Sequence, residues 1–121
     1  MQNPLAACFG VSLICIGTGA IFAPRWSAGQ YGLPTDNPTA LGFVRATGAR
    51  DIALGGALLA NLANRKALAG ICTGATIVAL TDAAVVGSIH GWRPQHLIHL
   101  SGAIAMALAG YAYGRPPIGD S

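Results

Sequence analysis

The segment from Gly42 to Leu59 reads as part of a membrane-crossing helix, yet it carries the charged side chains Arg45, Arg50 and Asp51. A charge deep in a bilayer costs several kcal/mol unless it is paired or faces a polar cavity. Whatever fold the chain adopts must therefore shelter these groups, and they become the first candidates for a functional site.

The rest of the chain makes a membrane the expected solvent. Only 9% of the 121 residues are charged and the mean hydropathy is +0.54, whereas soluble domains are about one-quarter charged. There is no Glu, and the acids are Asp36, Asp51, Asp82 and Asp120. A spanning helix needs about 20 apolar residues, so the length suits about four of them. The expectation is one all-α domain over residues 1–114, a four-helix antiparallel transmembrane bundle, with 115–121 as a mobile tail. The formal charge of +3 is scattered rather than gathered into a basic patch, which argues against nucleic acid as a partner. Cys8, Cys15 and Cys72 fall inside apolar runs and read as packing residues, not as a disulfide or metal framework. The first run has no basic residue ahead of it and is too long for a cleaved signal peptide, so it reads as a retained helix.

In chain order, the first helix is expected over Pro4–Ala23, closed by Pro24, Arg25 and Trp26. Residues 24–37 are rich in Pro and Gly and read as an irregular link. Within it Trp26 and Tyr31 are either interfacial anchors or part of a lid. Asn37 and Pro38 predict a capped start for the next helix, running to about Asn61–Asn64. On that helix Gly48, Asp51, Gly55 and Leu58 share one face. Two glycines flanking the aspartate place it where another backbone comes close. A third helix over Ala67–Gly87 contains Asp82 and the pattern Gly70-x-x-x-Gly74, which is suited to helix contact. The last, Gln95–Tyr113, carries His96 and His99 three residues apart on one face.

An up-down-up-down order puts the start of the second long helix, the end of the third and the start of the fourth at the same membrane face. Arg45, Asp82, His96 and His99 then lie near that face, with Arg50 and Asp51 one or two turns deeper. Two arginines and two aspartates make a formally neutral set, as burial demands. They either brace the helices or line a pocket in which Arg45, Arg50, Asp51, Asp82 and His99 form the wall. Counting basic residues outside the helices, Arg65, Lys66 and Arg115 against Arg25 and Arg93 place both termini in the cytoplasm.

Pro34, the run Gly48-Ala-Arg50-Asp51-Ile-Ala-Leu-Gly55, Asp82, and His99 with Ser101 and Gly102 together resemble a family of small four-helix membrane proteins catalogued as a domain of unknown function. The layout is also similar to that of the DoxX-like four-helix proteins. The resemblance implies the fold and the polar positions, and it carries no activity.

Chemically, Asp51 or Asp82 suits a general base and His99 a proton donor. Arg45 or Arg50, with His96 nearby, would hold a substrate's anionic oxygen. The substrate would be small and lipophilic, entering from the lipid. Isomerisation or cyclisation fits, since no redox-cofactor motif is visible and no cofactor is expected. Metal or haem ligation fits less well, because His96 and His99 sit on one helix rather than on facing ones. A proton-coupled transporter would need a homo-oligomer. The non-catalytic alternative is an accessory subunit of a larger membrane complex, with Gly/Ala-rich faces of the first and third helices meeting partner helices.

Overall fold

The structure, a computed structural model, describes residues 3–116. Every regular element among them is helical: α1 (Pro4–Phe22), α2 (Pro24–Gln30), α3 (Pro38–Ala60), α4 (Arg65–His90) and α5 (Gln95–Gly114). Helices α1, α4 and α5 are long and apolar enough to cross a membrane. Helix α3 is comparably long at 23 residues, but it bears Arg45, Arg50 and Asp51.

Local chemistry explains most of the boundaries. Prolines occupy the first turns of α1, α2 and α3, where the missing N–H costs no intrahelical bond. The Asn37 side chain caps α3 by accepting from the Thr39 and Ala40 amides at 2.9 and 3.1 Å, and Asn64 caps α4 through the Ala67 amide. Helix α4 runs past Gly87 to His90, further than expected, and stops where Gly91 takes φ +71°. The expected irregular link is also partly ordered. Residues 24–30 form α2, because Pro24 can begin a helix as readily as it ends the preceding one. The turn after it uses Gly32 at φ +82°, a backbone shape that glycine adopts freely.

Helices α1 and α3 run antiparallel at very short range. A methyl built on Gly48 would lie 2.5 Å from the Gly17 carbonyl oxygen, and one on Gly55 would lie 2.5 Å from that of Gly10. Only hydrogen fits at these crossings, so two of α1's glycines and two of α3's form one matched contact. On α3, Gly48, Asp51, Gly55 and Leu58 are all buried, as their spacing predicted. Helices α4 and α5 also run antiparallel, with Gly110 against Cys72 and Thr73 and Gly114 against Ala69. Gly70 and Gly74, by contrast, have nothing within 4 Å of an added Cβ. Among the described residues no other helix closes on that pair.

The two helix pairs meet at opposite ends through different chemistry. Near the α3–α4 turn the contact is an apolar layer: Ala6 from α1, Leu58 from α3, Leu68 and Cys72 from α4, Met106 and Tyr113 from α5. Arg65 closes that end by donating to the Ala112 carbonyl at 2.7 Å, satisfying a late α5 acceptor that has no intrahelical donor. Arg115, the first residue of the expected tail, lies over the Tyr111 ring at 4.4 Å; residues 117–121 lie outside the described residues. At the opposite end the contact is polar.

Candidate functional site

That polar end is built around Arg50. From α3 its guanidinium reaches α4 and binds Asp82 with both ends of the fork, Nη1 to Oδ1 at 3.2 Å and Nη2 to Oδ2 at 2.8 Å. The same group turns back to Asp51, donating from Nε at 3.2 Å and from Nη2 at 3.1 Å to one carboxylate oxygen. Neighbouring residues on a helix point about 100° apart, so only a side chain as long as arginine's can meet Asp51 this way. Asp51 is buried, whereas about a third of the Arg50 and Asp82 side chains remains exposed. Bidentate, charge-assisted pairing of this kind fixes geometry as well as charge.

The short helix α2 brings a further group to the cluster. Its end presents Tyr31, whose ring lies 5.7 Å from that of His99 on α5. The Tyr31 hydroxyl is buried and has no hydrogen-bond partner among the described residues. Burial and the negative charge of Asp51, helped by Asp82 and opposed by Arg50, push its phenol up to about 12. Next to it, Gly32 packs against Gln95 and Val86, so the α2 turn lies across the end of α4 and the first turn of α5.

His96 is almost fully buried, at 1% exposure. Its Nδ1 accepts from the Arg93 amide at 2.6 Å, which supplies an acceptor to the chain just before α5, and its ring sits edge-on to Trp92 at 5.4 Å. Its Nε2 and the neighbouring Gln95 Oε1 are buried without partners among the described residues. Unpaired buried polar atoms are uncommon in folded chains. Three of them occur here in the α2 turn and the first turn of α5.

The structure therefore brings together Arg50, Asp51 and Asp82, sets His99 beside them against Tyr31, and buries His96 one turn away. It does not bring Arg45 to them. Arg45 is exposed and donates from Nε to the Ile21 carbonyl at the end of α1. Five residues separate it from Arg50, which is about 140° around a helix, so the two cannot both face α4. The expected neutral set is thus short of one positive charge. Tyr31 is the residue that sequence reasoning missed, since it was placed at the interface or in a lid. Trp26 does stand exposed. Among the described residues no three His, Cys, Asp or Glu side chains gather as metal ligands would. An open groove of about 350 Å³ between α4 and α5, lined by Thr73, Thr76, Ile77, Ala107, Gly110 and Tyr111, lies elsewhere and holds none of the site residues.

A helical protein with three membrane-length apolar helices and one polar, ion-paired end is the class that fold and site define. The chain belongs to the family described as domain of unknown function DUF4267, which matches residues 10–113. No curated protein and no solved structure matches it.

Proposed function

We propose that the chain is a multi-pass, four-helix antiparallel transmembrane bundle that binds a small lipophilic molecule at its polar end, with both termini in the cytoplasm. Helix α3 then crosses with the other three, its charges sheltered by Asp82 and α1 rather than by lipid. The observation that carries the binding reading is the Tyr31 hydroxyl: buried, unpartnered among the described residues, on a ring beside His99 and within electrostatic reach of Arg50, Asp51 and Asp82. A network serving only to brace helices has no use for an unpaired hydroxyl at its edge, because an unmade buried hydrogen bond costs about 1–3 kcal/mol. A ligand carrying a polar group would complete it.

Acid–base conversion of that ligand, an isomerisation or cyclisation, follows from the same groups. An aspartate takes a proton, His99 with Tyr31 returns one, and Arg50 holds the carboxylates in place. The second reading, an accessory subunit, is favoured by one observation. Gly70 and Gly74 face outward beside the α4–α5 groove, a surface on which a partner helix could pack closely.

One experiment separates the two. Purify the protein in mild detergent, extract it, and analyse small molecules and co-purifying proteins by mass spectrometry. The binding reading expects a lipophilic compound that is enriched with the wild type and lost from Asp51→Asn and His99→Ala, both still inserted in the membrane. A stoichiometric protein partner retained by both variants, with no such compound, would replace it with the accessory reading.

A further inference from the structure

The ion-paired groups at the polar end do not cancel among themselves, and His99, close enough to Asp51 to act on its charge, is the one further described group beside them able to carry a positive charge. Asp51 and Asp82 share the single guanidinium of Arg50, while Arg45, which would balance them, is exposed and bonded to the Ile21 carbonyl. An excess carboxylate in a low-dielectric setting is costly until a cation or a proton joins it. Beside this excess, Gln95 Oε1 accepts from nothing, and the lone pairs of Tyr31 Oη are free. The fully buried His96 next to Gln95 also leaves Nε2 unpartnered, so the shortfall in partners extends beyond the acids. The Tyr31 ring is tilted against His99 and the Trp92 ring meets His96 edge-on at this junction, and an aromatic face attracts a cation.

We propose that the junction of α2, α3 and the first turn of α5 binds the protonated amine head of a small lipophilic molecule. The ammonium group supplies the positive charge that the Arg50–Asp51–Asp82 cluster lacks and donates to Tyr31 Oη and Gln95 Oε1, while its hydrocarbon body lies among the apolar helices. This rests on the ligand-binding reading above and adds the class of head group. A carboxylate head would increase the negative excess, and a hydroxyl head would leave it uncompensated.

The test titrates the full chain, in an uncharged detergent near neutral pH, with octylamine, octanol and octanoate. Binding is followed by calorimetry and by tryptophan fluorescence, which Trp92 reports from beside His96. Octylamine should bind about tenfold or more tightly than octanol, and octanoate should bind most weakly. Asp51→Asn should abolish the preference for amine while keeping octanol binding. Tyr31→Phe, which keeps the ring, should weaken octylamine several-fold and decides the matter should Asp51→Asn fail to fold. Octanol or octanoate binding as tightly as octylamine, or an amine preference unchanged in both variants, overturns the ammonium inference and leaves ligand binding standing. Saturable binding of none of the three probes overturns both.

Discussion

Replacing Arg50 by Gln should destabilise the protein more than any other single loss of charge at the polar end. Among the described residues the guanidinium is the one group bonded to both Asp51 and Asp82, so its removal leaves two carboxylates close together without an arginine between them. Breaking a fully buried ion pair costs about 3–5 kcal/mol. Arg50 and Asp82 keep 35% and 31% of their side-chain surface, and solvent screening brings the expectation down to about 2–3 kcal/mol. Asp82→Asn should cost less, about 1–2 kcal/mol, because Arg50 keeps Asp51 and the amide can still accept one hydrogen bond. The control is Asp36→Asn. Its partner Arg25 is bonded at 2.8 Å, but the two side chains are 89% and 72% exposed, and such pairs contribute almost nothing. Thermal melts in an uncharged detergent give the order, with about 4 °C expected per kcal/mol for a chain of this size. The double variant of Arg50 and Asp82 should fall short of the sum of the single ones, as contacting groups do. If Arg50→Gln melts with Asp36→Asn, or if the double variant is additive, the cross-helix pair does not hold α3 to α4.

Other outcomes follow from the same geometry. Gly48→Ala and Gly17→Ala force a methyl into the facing backbone of the α1–α3 crossing, and each should cost about 1–3 kcal/mol in a detergent melt. Gly56→Ala, where nothing lies within 4 Å, should be neutral or stabilising, since alanine favours helix. For Tyr31, a phenol raised to about 12 in the folded state and near 10 in the unfolded state adds stability that is full below pH 10 and lost as the pH rises toward 12. The wild-type melting temperature should therefore fall more steeply than that of Tyr31→Phe across this window, and parallel curves would place the hydroxyl in solvent.

Much of the scaffold was legible because its determinants are local. Asn37 and Pro38 mark the start of α3 by hydrogen bonding and by a fixed φ, and the 48-51-55-58 spacing marks its buried face whatever that face meets. That Asp82 pairs across helices was legible, since an isolated acid in an apolar run needs a cation, but depth put Arg50 one or two turns below it and so did not single out Arg50 as the partner. The Gly70/Gly74 motif shows the limit of such local signals. Spacing says that a face is smooth, but it does not say whether another helix is there to use it. Tyr31 was illegible because its place depends on α2, seven residues whose helical start and Gly32 turn swing the phenol toward α5. Nothing adjacent to Tyr31 in the chain records His99 as its neighbour.

Arg45 shows how one angular argument changes the chemistry. Counting two arginines against two aspartates groups it with Arg50, and the set then balances; rotation about α3 separates the two by about 140° and leaves Arg50 alone with both carboxylates. On the proposed binding reading, the charge left over sets which ligands that polar end accepts, and the unpaired atoms there include acceptors as well as a donor. A bracing network would have been cheaper with Asp51 replaced by an apolar residue, since Arg50 and Asp82 already satisfy each other across the helices. Asp51 is the most buried member of the three and adds no contact between helices: its bonds run to its own neighbour in sequence. The proposed binding site on the α2 and α5 side gives it a role that the α3–α4 pair does not. Replacing it by asparagine should weaken ligand retention far more than it lowers the melting temperature.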